Sequence, residues 1–360
     1  MSAYDVVVVG GGIGGLTVAA LLSARGLNTC LLERQSQVGG CIARVEFSGY
    51  DFEPGMGLYT SFGAGEVYDT LFSQLPVAAP EVSPITSPYM LRRADGTDVA
   101  IATDDLYSID GGTATLAERL AESIKQSGGN LRLNSPVLRL AYDEAGRATG
   151  VDLLSGERVF AKKAIVSNLT IWDTYGKLIG LNRTPPEIKK HLSTLHGTGV
   201  YVLYAGIEDS AIARLPGERM RVEDGEGEFT LAISSGVAPR GKRAVTFTTR
   251  TEIDSWFAYQ SSEEDYEEWD QSALENFWNR LHAALPELGS DIEVIETANP
   301  RTYYDSTRRK LGMVLGVEEP VSVGNQTSLP NVFLAGDTVT LEPRLAAVVD
   351  AAVSLVDRLL

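Results

Sequence analysis

The chain has 360 residues, 44% of them hydrophobic, with 48 acidic against 31 basic side chains and a formal net charge of −17. That length accommodates two lobes, and a surface of that sign repels phosphate backbones, which excludes nucleic acid as a partner. No apolar run approaches the length of a membrane span and no basic leader precedes the first apolar segment, so a cytoplasmic protein is expected.

The first element, AYDVVVVG (3–10), is a run of β-branched residues ending in glycines and reads as a buried parallel strand. IGGLTVAALLSARG follows with helical periodicity and stops at Gly26, and NTCLLE is a second buried strand. One right-handed βαβ unit is thus predicted within the first 34 residues. A helix is expected between Thr113 and Gly128, with capping-box spacing at Thr115 and Glu118 and an apolar stripe of Leu116, Leu120 and Ile124. NLRLN then reads as a short parallel strand, and VLRLAYD, ATGVDLL and ERVFA as a three-stranded antiparallel meander. The chain returns to the parallel sheet at Ala164 to Ser167, and NVFLAG near the end supplies one more parallel strand.

The middle of the chain differs. GVYVLYAGI, EFTLAISSG and RAVTFTTRT alternate aromatic and Thr residues as strands do, and a helix-rich stretch runs from Ser262 to Leu288 behind an acidic start, EEDYEEWD. The expected fold class is α/β: a Rossmann-type dinucleotide lobe with a β-meander, from residues 1–62, 107–172 and 290–360. An inserted α+β substrate lobe takes 63–106 and 173–289. Tyr201, Tyr204, Phe229 and Phe247 are candidates for lining an apolar cleft, although core packing explains aromatic residues on strands equally well; Tyr303 and Tyr304 are further candidates. The basic cluster RRK, Arg308 to Lys310, reads as a solvated helix or turn face. Cys30 and Cys41 show no redox or zinc spacing, and His191, His196 and His282 are too scattered for ligands, so no metal is expected.

Gly10, Gly12 and Gly15, with Ile13 and Gly14 among them, fit G-x-G-x-x-G at a strand–helix junction. The first glycine allows the tight turn, the second admits a pyrophosphate to the backbone, and the third lets helix and strand pack closely. The phosphates then lie on the helix N-terminus. Glu33, with Arg34 beside it, closes the second strand where a carboxylate accepts ribose hydroxyls. A second glycine pair, Gly39-Gly40, suits a loop passing close to a longer cofactor. With the meander and the terminal FLAGD, this favours FAD over NAD, since an NAD dehydrogenase would continue with regular βαβ units.

At these residues the chain resembles the carotenoid desaturase, carotenoid isomerase and retinol saturase branch of the amine-oxidase-like flavoproteins. The matching pieces are VVVVGGGIGGLTVAALLSARGLNTCLLERQSQVGG, GYDFEPGMGLYTS, DGGTATLAERLAESIKQSGGNLRLNSPVLRL, AIVSNLTIWDTYGKLI and LPNVFLAGDTVTLEPRLAAVVDAA. The resemblance implies that Gly10 to Gly15 hold the FAD pyrophosphate, Glu33 the adenosine ribose, and Gly39 and Gly40 the ribityl side. Val137 would meet the adenine, and Gly336 and Asp337 the ribityl or phosphate groups. Leu345 and Ala346 would face the flavin pyrimidine ring. The loop Glu53 to Ser61, with Met56, Gly57 and Tyr59, would run alongside the isoalloxazine.

Three departures stand out. Cys41 occupies a position where the family commonly has arginine. Only about 50 residues separate Gly57 from DGGT, too few for the helical cap of the carotenoid enzymes. Glu342-Pro343-Arg344 replaces a glycine-x-glycine step, which makes Glu342 and Arg344, together with Tyr59, the candidates for side chains near the flavin. Arg344 either approaches the flavin N1/O2 edge or turns outward.

The expected function is hydride transfer, by an FAD-dependent oxidoreductase of desaturase, saturase or isomerase type, on an apolar, unsaturated or isoprenoid small molecule. The electron acceptor, oxygen or a quinone, is left open, and peripheral membrane contact would suit such a substrate. A flavin amine oxidase and a non-enzymatic, flavoprotein-derived binding or assembly factor are the alternatives.

Overall fold

The computed structural model describes residues 3–194, 197–258, 263–317, 324–340 and 344–360. β1 (Ala3–Val9), α1 (Ile13–Ala24) and β2 (Thr29–Leu32) form the expected βαβ unit. β3 (Tyr89–Arg92) and β4 (Asp98–Ile101) precede α2 (Ala114–Gln126), β5 (Asn130–Arg132), β6 (Val137–Tyr142), β7 (Ala148–Leu153) and β8 (Arg158–Ser167). The long β9 (Gly197–Glu208) is followed by β10 (Arg219–Asp224), β11 (Gly227–Ile233) and β12 (Lys242–Thr251). Then come α3 (Glu263–Ala284), β13 (Ile292–Ala298), α4 (Pro300–Thr307), β14 (Val314–Val317), β15 (Val332–Leu334) and α5 (Leu345–Leu359).

Two sheets organise the described residues. The first runs β6–β7–β8–β1–β2–β5, with β15 on β8. Its β8–β1–β2–β5 core and the β8–β15 pair are parallel, whereas β6, β7 and the start of β8 are antiparallel. Both faces of β1 are covered, which is why its valines form an unbroken run. Val6 and Val8 pack in one core with α1, α2 and α5, and Val7 and Val9 in the opposite core with Val151 and Leu334. α1 is buried from Ile13 to Ser23 because the sheet, α2 and α5 enclose it, as expected of a helix apolar all round. Cys30 lies in the core, as its apolar run suggests, and burial pushes its thiol up to about 11. The second sheet runs β13–β9–β12–β11–β10–β3–β4, with β14 on β9.

Several expectations are corrected. The third meander strand and the return to the parallel sheet are one strand, β8. Its first residues pair with β7, and Ile165 to Ser167 pair with β15 along the same edge. No capping box forms at Thr115 and Glu118. The helix starts at Ala114, so Thr115 is already in its first turn, and Glu118 turns to Arg44. A capping box missed in the sequence closes the start of α4, where Asn299 and Thr302 bond reciprocally. Tyr201, Tyr204, Phe229 and Phe247 are all under 5% exposed and belong to the cores rather than to an open cleft.

Packing joins residues across positions 63, 173 and 290. Tyr68, Leu71 and Phe72 join the α1 core, Tyr175, Leu178 and Ile179 join the core under β1, and β13 pairs with β9 in the second sheet. No helix among the described residues is long and apolar enough to cross a membrane.

Candidate functional site

The glycine turn has the shape its spacing requires. Gly10 has φ +100° and donates to Leu32 O at 2.9 Å, so the chain leaves β1 through a conformation that glycine adopts without strain. A Cβ on Gly15 would lie 2.2 Å from Gly10 O, which explains the third glycine as a close approach of helix to turn. Ile13 opens α1 on the core side. The first turn of α1 has neither a capping side chain nor an acidic residue, so its backbone N–H groups are not taken up by the chain.

Asn168, which the sequence reading passed over, lies at the centre. It follows β8 at the end next to the glycine turn, and donates its backbone N–H to Val9 O at 2.8 Å. A Cβ on Gly12 would fall 2.6 Å from Asn168 Nδ2, and one on Gly14 would fall 2.8 Å from both Asn168 Oδ1 and the backbone N of Gly336. Gly336, at φ +99°, therefore closes directly over the start of α1. The signal for Asn168 was its place: the first residue after a parallel strand adjoining β1, where α/β sheets bind their ligands.

Glu33 turns back onto this loop. Its carboxylate accepts from the N–H groups of Gly11 at 2.6 Å and Gln35 at 2.8 Å. Gly39 donates to Gly11 O at 2.8 Å, and a Cβ on Gly40 would meet Gly12 Cα at 3.5 Å, so the second glycine pair lies flat against the first turn. Val137 opens β6, opposite Leu153. Arg34 is directed elsewhere: its Nη2 donates to the carbonyls of Asp305 and Ser306 at 3.0 and 3.2 Å, at the C-terminal end of α4.

At the other end, Asp337 carries the corner's charge. Arg309 Nη2 donates to Asp337 Oδ2 at 2.7 Å, and its Nε donates to Met313 O at 2.5 Å. Arg309 is only 15% exposed, which corrects the reading of the RRK cluster as a solvated face; Arg308 and Lys310 are exposed, but Arg309 is not. Cys41 lies beside this pair; burial pushes its thiol up, and the nearby guanidinium pulls it back. Leu345 and Ala346, the first residues of α5, pack against the α1 core. Arg344 is exposed at the N-cap of α5, and Glu342 and Pro343 lie outside the described residues.

The Glu53–Ser61 loop forms a second polar cluster. Tyr59 Oη donates to Glu53 Oε1 at 2.9 Å, and the Thr113 N–H donates to Glu53 Oε2 at 3.2 Å. The Thr113 hydroxyl bonds both Tyr59 and Glu53. Arg219 Nε donates to the Met56 carbonyl at 3.2 Å, and Gly57 takes φ +60° where a Cβ would press on Glu53 Cγ at 3.1 Å. Burial pushes the Glu53 carboxyl up to about 7, against the opposing hydrogen bonds and the Arg219 charge. A cleft lined by Arg44, Asp51, Glu53, Gly112 and Ser234 opens onto this cluster.

The residues present fit a dinucleotide. Amides at the start of α1 are available, and the backbone at Gly12 and Gly40 is bare. Asn168 Oδ1 is buried with no protein partner among the described residues. Each Glu33 oxygen keeps a lone pair beyond its one backbone bond. Among the described residues no cluster of His, Cys, Asp or Glu could hold a metal ion.

Comparison with known proteins agrees with this geometry. Residues 8–75 match the NAD(P)-binding Rossmann-like domain, and residues 95–344 match the flavin containing amine oxidoreductase family. The chain is 26% identical over 253 residues to the prolycopene isomerase of Daucus carota, a match covering 63% of this chain and 40% of that protein. It is 22% identical over 277 residues to the all-trans-retinol 13,14-reductase of Danio rerio, covering 64% and 46%. This chain thus spans less than half the length of these curated relatives. A crystal structure of an oxidoreductase from Methanosarcina mazei superposes with a TM-score of 0.74 at 13% identity, covering 98% of this chain and 99% of the other, which shows the shared fold. With more than half of its residues matched by one family, the chain belongs to the flavin containing amine oxidoreductases, and FAD is its cofactor.

Proposed function

We propose that this protein is an oxidoreductase of the desaturase, saturase or isomerase type, acting on an apolar, unsaturated small molecule of isoprenoid character. The observation that carries the reading is the meeting of a dinucleotide cradle with an apolar wall. Cys41, the residue after the cradle's second glycine pair, packs with Tyr50, Phe52, Val202, Tyr204 and the partly buried Tyr303. The names of two relatives, a prolycopene isomerase and an all-trans-retinol reductase, support a substrate of this kind.

When bound, FAD supplies hydride exchange at its N5 atom. The chain's own residues do the rest. The α1 amides and the bare backbone at Gly12 take the diphosphate, and Glu33 accepts the ribose hydroxyls. Gly39, Gly40 and Asp337 bound the ribityl side. The buried aromatic cluster of Tyr50, Phe52 and Tyr204 backs the site with apolar side chains, and Glu53, held by Tyr59 and Thr113 on the cleft it lines, can keep a proton near neutral pH. For a desaturase the electrons pass on to an acceptor such as oxygen or a quinone, and an apolar substrate favours peripheral contact with a membrane.

Amine oxidation is the second reading, favoured by the family's description and by the packing of Tyr303 against the cluster that holds Tyr204. One experiment separates them: anaerobic bleaching of the flavin-loaded protein by unsaturated isoprenoids on the one hand and by primary amines on the other. Bleaching by amines alone would overturn the first reading.

A further inference from the structure

The segment after β13 is fastened to the cofactor cradle at two points. At the first, Arg34 Nη2 donates to the carbonyls of Asp305 and Ser306, and the Gln35 side-chain amide bonds Ser306 O, so the two residues after Glu33 hold the end of α4. At the second, the turn beyond α4 delivers Arg309 to Asp337.

That turn is unusual in its backbone. Arg308 (φ +55°), Leu311 (φ +50°) and Gly312 (φ +62°) are all left-handed. A branched apolar residue rarely takes this conformation, and it persists only where the surroundings impose it. A Cβ on Gly312 would fall 1.8 Å from Pro300 O, so the turn closes tightly onto the start of α4. The result is a largely enclosed guanidinium, 15% exposed, that pairs with Asp337 at the Gly336–Asp337 corner and acts electrostatically on Cys41 beside Gly40.

A carboxylate at this corner is otherwise a liability. Asp337 follows Gly336, whose backbone lies against Gly14 at the start of α1, where a diphosphate carries its negative charge. Like charges gathered at one corner repel, all the more strongly out of water. The guanidinium offers five N–H donors, of which Asp337 and Met313 account for one each, so it can neutralise the corner and still donate to a ligand anion.

We propose that Arg309 is the cation of the FAD cradle: paired with Asp337, it neutralises that carboxylate and donates to the cofactor's diphosphate, from a chain segment remote from the glycine motif. This rests on the placing of the diphosphate at α1 in the proposed function.

The test is the affinity of flavin-stripped protein for FAD, and for ADP as a diphosphate probe without flavin or ribityl, with adenosine as the uncharged control. Arg309→Leu should weaken FAD and ADP at least tenfold and leave adenosine unchanged. The double variant Arg309→Leu/Asp337→Asn should regain part of the ADP affinity, the share owed to neutralising Asp337, which lost packing alone would not allow. The remaining deficit is the lost donation to the diphosphate. Asp337→Asn by itself keeps the guanidinium in place and should tighten ADP several-fold, so the proposal stays testable even if Arg309→Leu does not fold. Unchanged ADP affinity in Arg309→Leu, or in Asp337→Asn, overturns the proposal while FAD binding itself stands. Wild-type protein that takes up neither FAD nor ADP overturns both this proposal and the proposed function.

Discussion

The Tyr59 hydroxyl donates to Glu53 at 2.9 Å, in a cluster that ties the loop after the first βαβ unit to the start of α2 and to the second sheet. Ser234 Oγ accepts from the Glu53 N–H at 2.6 Å, and Thr246 Oγ1 donates to the Glu53 carbonyl at 3.0 Å. Burial raises the Glu53 carboxyl from an ordinary 4.5 to about 7. A raised acid favours the folded state when protonated. Its stabilising contribution is therefore fully present below pH 4.5 and is lost as the pH rises to 7. The loss is about 3 kcal/mol, since each tenfold change in proton affinity is worth about 1.4 kcal/mol. Denaturant midpoints recorded from pH 4.5 to 8 should fall across this window in the wild type and stay level in Glu53→Gln. A wild-type decline that survives in the variant would assign the effect to another group.

Replacing Gly15 with alanine forces a methyl to 2.2 Å from Gly10 O and should cost about 1–3 kcal/mol together with bound FAD. Gly26→Ala is the control, since it meets no atom within 4 Å and suffers only its φ of +83°. It should cost about 1–2 kcal/mol and keep the cofactor. Urea denaturation and the visible flavin spectrum read both quantities.

Glu33→Ala removes the acceptor of the Gly11 and Gln35 amides. FAD affinity should drop by about tenfold or more, a loss of roughly 1.4 kcal/mol. FMN, which lacks the adenosine ribose, should lose much less. Equal losses for the two flavins would mean that the carboxylate only shapes the turn.

Phe247 is fully buried against the second-sheet core. Phe247→Ala should destabilise by about 3–5 kcal/mol, as large-to-small core changes do. If Phe247 instead lined the substrate cleft, the melting temperature would hold and KM would rise.

Much of this was legible in the sequence because local pattern and tertiary role coincide there. The valine run of β1, the glycine spacing and Glu33 each announce a strand, a turn and a carboxylate at fixed offsets, and all three appear where expected. Asn168 and Arg309 were harder to read. Neither belongs to a periodic pattern, and each acquires its meaning only when remote segments meet: Asn168 under Gly336, Arg309 beside Asp337. The capping-box spacing at Thr115 misled because the helix starts one residue earlier and the Thr113 hydroxyl is claimed by Glu53. The aromatic strands misled because exposure to a cleft and burial in a core leave the same alternation.

The shared edge of β8 bears on how the chain matures. Its first half pairs with β7, its neighbour in sequence, but its second half waits for β15, and α1 waits for α5 to cover its remaining face. A nascent chain thus carries an open sheet edge and a bare helix flank until residues 332–359 have left the ribosome, some 165 residues after β8 itself is made. Vectorial synthesis cannot complete the nucleotide-binding half first. The first half of the chain to be made is the last to be finished, and holdase protection or early flavin capture would matter most during that interval.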